Sequence, residues 1–149
     1  KTVQNKLHWA ITGNTAAEII NKRVDVEKPN LGLTSWKNSP DGKILKSDTS
    51  IAKNYLSEKE IKELNRLVEL YLNFAELQAE RNIPTKMNEW VEILDEFIKI
   101  NRYELLNNPG TISHNQAIEK AESEYKKFRV IQDQKFISDF DNEVKKLKK

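Results

Sequence analysis

No cysteine occurs in the 149 residues, so disulfides and thiolate metal sites are excluded, and nothing ties the chain to an oxidising compartment. The expected location is therefore cytoplasmic. Histidine is nearly as scarce: His8 and His114 fall in different segments, and neither belongs to an H-E-x-x-H or comparable spacing. The sequence thus assigns no metal and no cofactor. Glycine and proline number four each, which suits a helical globular domain better than a sheet-rich or disordered one. Gly32 and Gly42 stand too far apart to cradle a phosphate ahead of a helix, and no G-x-S-x-G elbow flanks either histidine. No apolar run approaches the roughly 20 residues of a membrane span, and the opening KTVQNKLHW has no signal-peptide core, so no membrane is expected as a partner. Charge of one sign is also missing. With 25 basic and 23 acidic residues the net charge is only +2, and neither a nucleic-acid surface nor its absence follows. Lys1 stands where an initiator methionine would, so an excerpt of a longer chain is expected.

What is present is helical. The stretch from Ser57 to Arg81 opens with a capping box, Ser57 to Glu60, and carries apolar residues on nearly every side: Ile61, Leu64, Leu67, Val68, Leu70, Leu72, Phe74 and Leu77. A helix apolar all round is normally buried. The fold class expected is therefore all-α, a multi-helix bundle around this central buried helix, forming a single helical domain over 1–149 with one long ordered loop.

Upstream, Val3, Leu7 and Ile11 mark a first helix ended by Gly13, and Thr15 with Glu18 matches a second capping box, whose helix runs toward Pro29. Residues 28–46 gather Pro29, Gly32, Pro40 and Gly42 into the one long irregular segment. Its Leu31, Leu33, Trp36, Ile44 and Leu45 are too apolar for a free linker. They predict a loop packed onto the helices, with a short hairpin at Trp36–Ile44. A short helix is expected through Ile51, Ala52 and Tyr55. Downstream, a helix is expected from about Lys86 to Leu105, with Trp90, Leu94, Phe97 and Ile98 on its buried stripe. Ser113 and Gln116 form a third capping box, opening a tail whose apolar row shifts phase near Gln132. That tail reads as one long helix or two with a break.

The candidate chemistry is sparse. Asn65, Glu69, Asn73, Glu76 and Glu80 form one stripe of the central helix, which reads as a solvated face or, if buried, as a polar cleft beside the 28–46 loop. The candidate polar cleft is His8, Glu18, Trp36, Lys37 and Glu76, with Trp36 to stack a ligand and Lys37 to pair with its charge. Trp36 serves equally as a hydrophobic anchor, and His8 as a packed helix histidine. His114 receives no role.

The segments TVQNKLHWAITGNTAAEII, KPNLGLTSWK, GKILKSD, IAKNYLSEKEIKELNR, LYLNFAELQAER and EYKKFRVIQDQ, in this order, closely resemble the C-terminal half of the virulence RhuM family. The likeness extends to about Gln134. It implies a bacterial origin, a virulence or mobile-element role, and an N-terminal portion upstream that looks like a DNA-binding or phage-regulator module. Some chains related to that family are associated with Fic and Doc toxins, whose chemistry needs HxFxxGNGR. Here His8 is followed only by Gly13-Asn14, with no arginine in the required place.

The leading expectation is a helical regulatory or interaction domain of a RhuM-like protein, with a protein partner or self-association. Nucleic acid would be reached through the upstream part. The competing expectation is an enzyme or toxin domain with its active site near the 28–46 loop.

Overall fold

A computed structural model describes residues 2–148. Five α-helices follow in order: α1 (Thr2–Thr12), α2 (Ala16–Arg23), α3 (Glu58–Glu80), α4 (Met87–Ile100) and α5 (His114–Leu147). Between α2 and α3 the chain makes three 3-10 turns, Pro29–Gly32, Lys46–Ser50 and Ala52–Tyr55. No strand occurs among the described residues, so the fold is all-α.

Three helices start where their caps dictate. Thr15, Ser57 and Ser113 each accept from the backbone three residues on, and Glu18, Glu60 and Gln116 reach back to the cap nitrogen. Each box satisfies two of the donors that a helix start leaves orphaned.

The core is centred elsewhere than expected. Ile19, Ile20 and Val24 of α2, Leu31, Leu33, Trp36 and Ile44 of the irregular segment, Ala52, Tyr55 and Leu56, and Ala117 and Ala121 of α5 form one buried cluster. The two alanines let α2 and the 46–50 turn lie close against α5. The helix over 58–80 is not the buried centre: it buries only Leu64 and Leu67, while Leu70, Leu72 and Leu77 are exposed. Its first half joins the core, and its second half carries a smaller cluster with α4. There Leu94 and Ile98 are buried, and Tyr71 makes edge contacts with Trp90 and Phe97 at 6.1 and 5.8 Å. Tyr71 also donates its hydroxyl to the Trp90 carbonyl at 2.8 Å, and Lys6 of α1 pairs with Asp95 of α4 at 2.5 Å.

The 28–56 segment packs down as expected, but without a hairpin. Residues 36–42 close into a compact turn in which Ser39 N–H donates to the Trp36 carbonyl and Gly42 N–H to the Asn38 carbonyl. The indole of Trp36 donates back to the Gly42 carbonyl at 2.9 Å. The Ser39–Pro40 bond is cis. Residues 47–55 form 3-10 turns rather than a short α-helix, held by Asp48. Its buried carboxylate accepts from the backbone N–H of Leu45 and Lys37 at 2.7 and 3.2 Å.

Two further expectations are corrected. α2 ends at Arg23, before Pro29, and α4 ends at Ile100 rather than near Leu105. The α4 terminus is a Schellman motif: Arg102 adopts φ 65° and donates to the Lys99 carbonyl, while Tyr103 donates to that of Ile98. The tail resolves into one unbroken 34-residue helix, α5.

Candidate interaction surface

The five side chains expected to form a polar cleft are not brought together. His8 is buried on α1 with Nδ1 unpaired, and burial, then the charge of Lys53, hold its imidazole below the usual range. Glu18 is buried in its capping box, accepting from Thr15 N–H and from the Thr111 hydroxyl, both at 2.8 Å. Burial raises its pKa, but the hydrogen bonds from Thr15 and Thr111 outweigh that and hold it below the ordinary carboxylate value. Glu18 thus fastens the loop before α5 to the start of α2. Trp36 is a hydrophobic anchor of the core, closing its own turn. Lys37 is exposed, and its backbone rather than its ammonium is held, by Asp48. Glu76 is exposed on α3 together with Asn65, Glu69, Asn73 and Glu80, so that stripe is a solvated face.

Three clefts border the core. One, of about 380 Å³, lies where the starts of α2 and α5 meet α1, between Asn5, Ala16, Ser50 and His114. The next, of about 570 Å³, continues past His114 to Lys46 and Glu122. His114, to which the sequence assigns nothing, thus borders both. The third, of about 500 Å³, separates the Trp36 turn from α5 and is lined by Trp36, Phe128, Ile131 and Phe136. Of the five expected residues, these clefts contain only Trp36. Among the described residues no group of three or more His, Asp and Glu side chains is placed to hold a metal ion, and no helix is long and apolar enough to cross a membrane.

The strongest surface feature is on α5. Ala117, Ala121, Tyr125, Phe128 and Gln132 turn one side of this helix toward the body. Gln132 is the last fixed point: its buried amide accepts from Ile44 N–H at 2.7 Å and donates to the Ile44 carbonyl at 3.1 Å, where the Tyr125 hydroxyl also donates. Beyond it the helix runs on, and its apolar side chains meet solvent. Val130, just before it, is already 58% exposed, and beyond it Ile137 is 62%, Phe140 67% and Leu147 86% exposed. Among the described residues nothing covers this row.

These features define an all-α fold in which the buried Glu18, Asp48 and Gln132 are spent on capping and loop fastening, and whose longest helix presents an apolar side that no described residue covers. The model of the virulence protein RhuM family matches residues 1–137, most of the chain, and the chain belongs to that family. No curated protein and no solved structure matches it. The matched range covers the whole buried core and ends within the exposed row of α5, before Phe140 and Leu147.

Proposed function

We propose that this RhuM-family chain is a self-association domain with a regulatory role, and that the C-terminal half of α5 is its contact surface. The observation that carries the proposal is the run of exposed apolar side chains, Val130, Ile137, Phe140 and Leu147, on a helix that leaves the core after Gln132. Apolar surface of this kind stabilises association at roughly 25 cal/mol per Å² removed from water, before the cost of immobilising the partners. In a longer chain with a DNA-binding portion upstream, pairing of this domain would bring two such portions together, as dimeric readers of paired half-sites require.

The competing enzymatic reading needs His8, Glu18, Trp36, Lys37 and Glu76 to act together, and nothing in their surroundings favours it. Glu18 is committed to Thr15 and Thr111, and Trp36 to Gly42.

Sedimentation velocity tests the proposal. The chain is expected to sediment as a dimer at about 100 μM, and Phe140→Asp to sediment as a monomer with an unchanged thermal melt. A wild-type chain that stays monomeric at that concentration would refute it.

A further inference from the structure

The exposed row of α5 has a specific period. Val130, Ile137 and Val144 recur every seven residues, and Asp133, Phe140 and Leu147 stand three residues after each. This is a heptad, with the first set at a and the second at d. At 100° per residue the a and d side chains lie together on one side of the helix, well round from the row Ala121, Phe128 and Gln132 that faces the body. The body leaves most of this side open: Val130, Ile137, Phe140 and Leu147 are exposed, Val144 is half-buried, and of the row Lys43 reaches Asp133 alone.

The residue types narrow the geometry. All three a positions are β-branched, and two of the d positions are Phe140 and Leu147. β-branched a residues with leucine at d favour a parallel two-stranded coiled coil over higher assemblies, and Leu147 supplies that pairing while Phe140 adds apolar area. Asp133 is the one polar residue in the row. It stands at the body end, where Lys43 at 3.0 Å and Arg129 at 3.7 Å neutralise it. One flanking charge pair agrees with a parallel arrangement. There the g residue of one helix faces the e residue of the next heptad on the other, which sets Glu143 of one copy against Lys148 of its mate, twice by symmetry.

We propose that residues 130–148 of two copies of this chain wind together as a parallel, in-register coiled coil, with both bodies at the same end. The inference rests on the self-association proposed above and adds its geometry. The cysteine-free sequence allows a clean test. Leu147→Cys in the full chain, oxidised at a concentration where sedimentation reads dimer, is expected to cross-link to itself. It should do so on the order of tenfold or more faster than Lys145→Cys, which lies off the row, because pairing raises the local thiol concentration. An antiparallel pair would instead cross-link Val130→Cys to Leu147→Cys in a mixture while leaving Leu147→Cys alone unreacted. That result, or a dimer in which neither cross-link forms, overturns the parallel coiled coil but leaves self-association standing. A monomer by sedimentation overturns both.

Discussion

Gln132 does for Ile44 what a neighbouring strand does in a sheet: it pairs both the N–H and the carbonyl of one residue in an otherwise irregular segment. Replacing it by leucine would strand the buried N–H of Ile44, whose carbonyl keeps the Tyr125 hydroxyl, and we predict a loss of about 1–3 kcal/mol, read from denaturant unfolding. In the sequence the same residue registers only as a slip in the apolar row, since spacing does not reveal which backbone a side chain will meet. Glu60 is legible as a capping residue but not as half of an ion pair. Its carboxylate caps Ser57 and receives two hydrogen bonds from Arg23 at 2.6 and 2.9 Å, and Arg23 also donates to the Tyr55 carbonyl. The Arg23 hydrogen bonds, opposed by burial and aided by Ser57, bring the Glu60 carboxyl down from the ordinary glutamate value to about 2. Because the folded pKa is the lower one, the stabilisation is fully present above the unfolded value and is lost as pH falls from there toward 2. Glu60→Gln is expected to cost about 2 kcal/mol near neutral pH, after discounting for partial exposure, with the gap from wild type narrowing in acid. Thermal melts across that range check both statements. Glu18 follows the same logic: its type and position suggested chemistry, while its environment, Thr15 and Thr111, makes it a fastener.

Helix starts were legible because a capping box is local, three residues of backbone and two side chains. The ends of α1 at Gly13 and of α3 at Arg81, and the buried stripes of α4 and α5, were legible as well; the ends of α2 and α4 and the burial of α3 were not. α3 and α4 both terminate in Schellman motifs built on residues other than glycine, Asn82 at φ 55° and Arg102 at φ 65°. Asparagine tolerates that conformation. Arginine does not signal it, so the sequence read α4 on to about Leu105. Left-handed backbone costs an ordinary residue roughly 1–2 kcal/mol, partly offset by the greater unfolded-state freedom of glycine. Arg102→Gly is therefore predicted to stabilise the protein by about 0.5 kcal/mol, a small rise in the unfolding midpoint. The opposite change is severe at Gly32. Its φ is 88°, and a Cβ there would meet the Arg23 carbonyl oxygen at 2.1 Å. Gly32→Ala should cost at least about 2 kcal/mol and separate the 29–32 turn from the end of α2. The exposure of Leu70, Leu72 and Leu77 on α3 has the same origin as the missed ends. Periodicity counts apolar sides, but only the tertiary arrangement decides how many of them find a neighbour.

At the scale of the molecule, α5 links two regimes. Its first half supplies Ala117 and Ala121 to the core and ends at the Gln132 clamp; its second half makes only peripheral contacts, Lys43 with Asp133 at 3.0 Å and over the Phe136 ring at 5.3 Å. Stability and association should therefore separate. All the residues of the buried cluster lie upstream of 122, and the partly buried ones packed on it end at Phe128. A chain stopped after Ile137 loses Phe140, Val144 and Leu147 but none of these contacts. It is expected to melt within about 2 °C of the full chain, since peripheral, solvated residues contribute little to unfolding free energy. The same truncation removes most of the apolar row and should sediment as a monomer at concentrations where the full chain pairs. A truncated chain that melts far lower would place the tail on its own body, and the exposed row would then belong to folding. One that melts normally yet still pairs would move the contact surface to the exposed side of α3, where Leu70 and Leu77 stand on one side. Retained stability with lost pairing is the outcome that follows from a helix whose first half is packed in the core and whose second half is left uncovered.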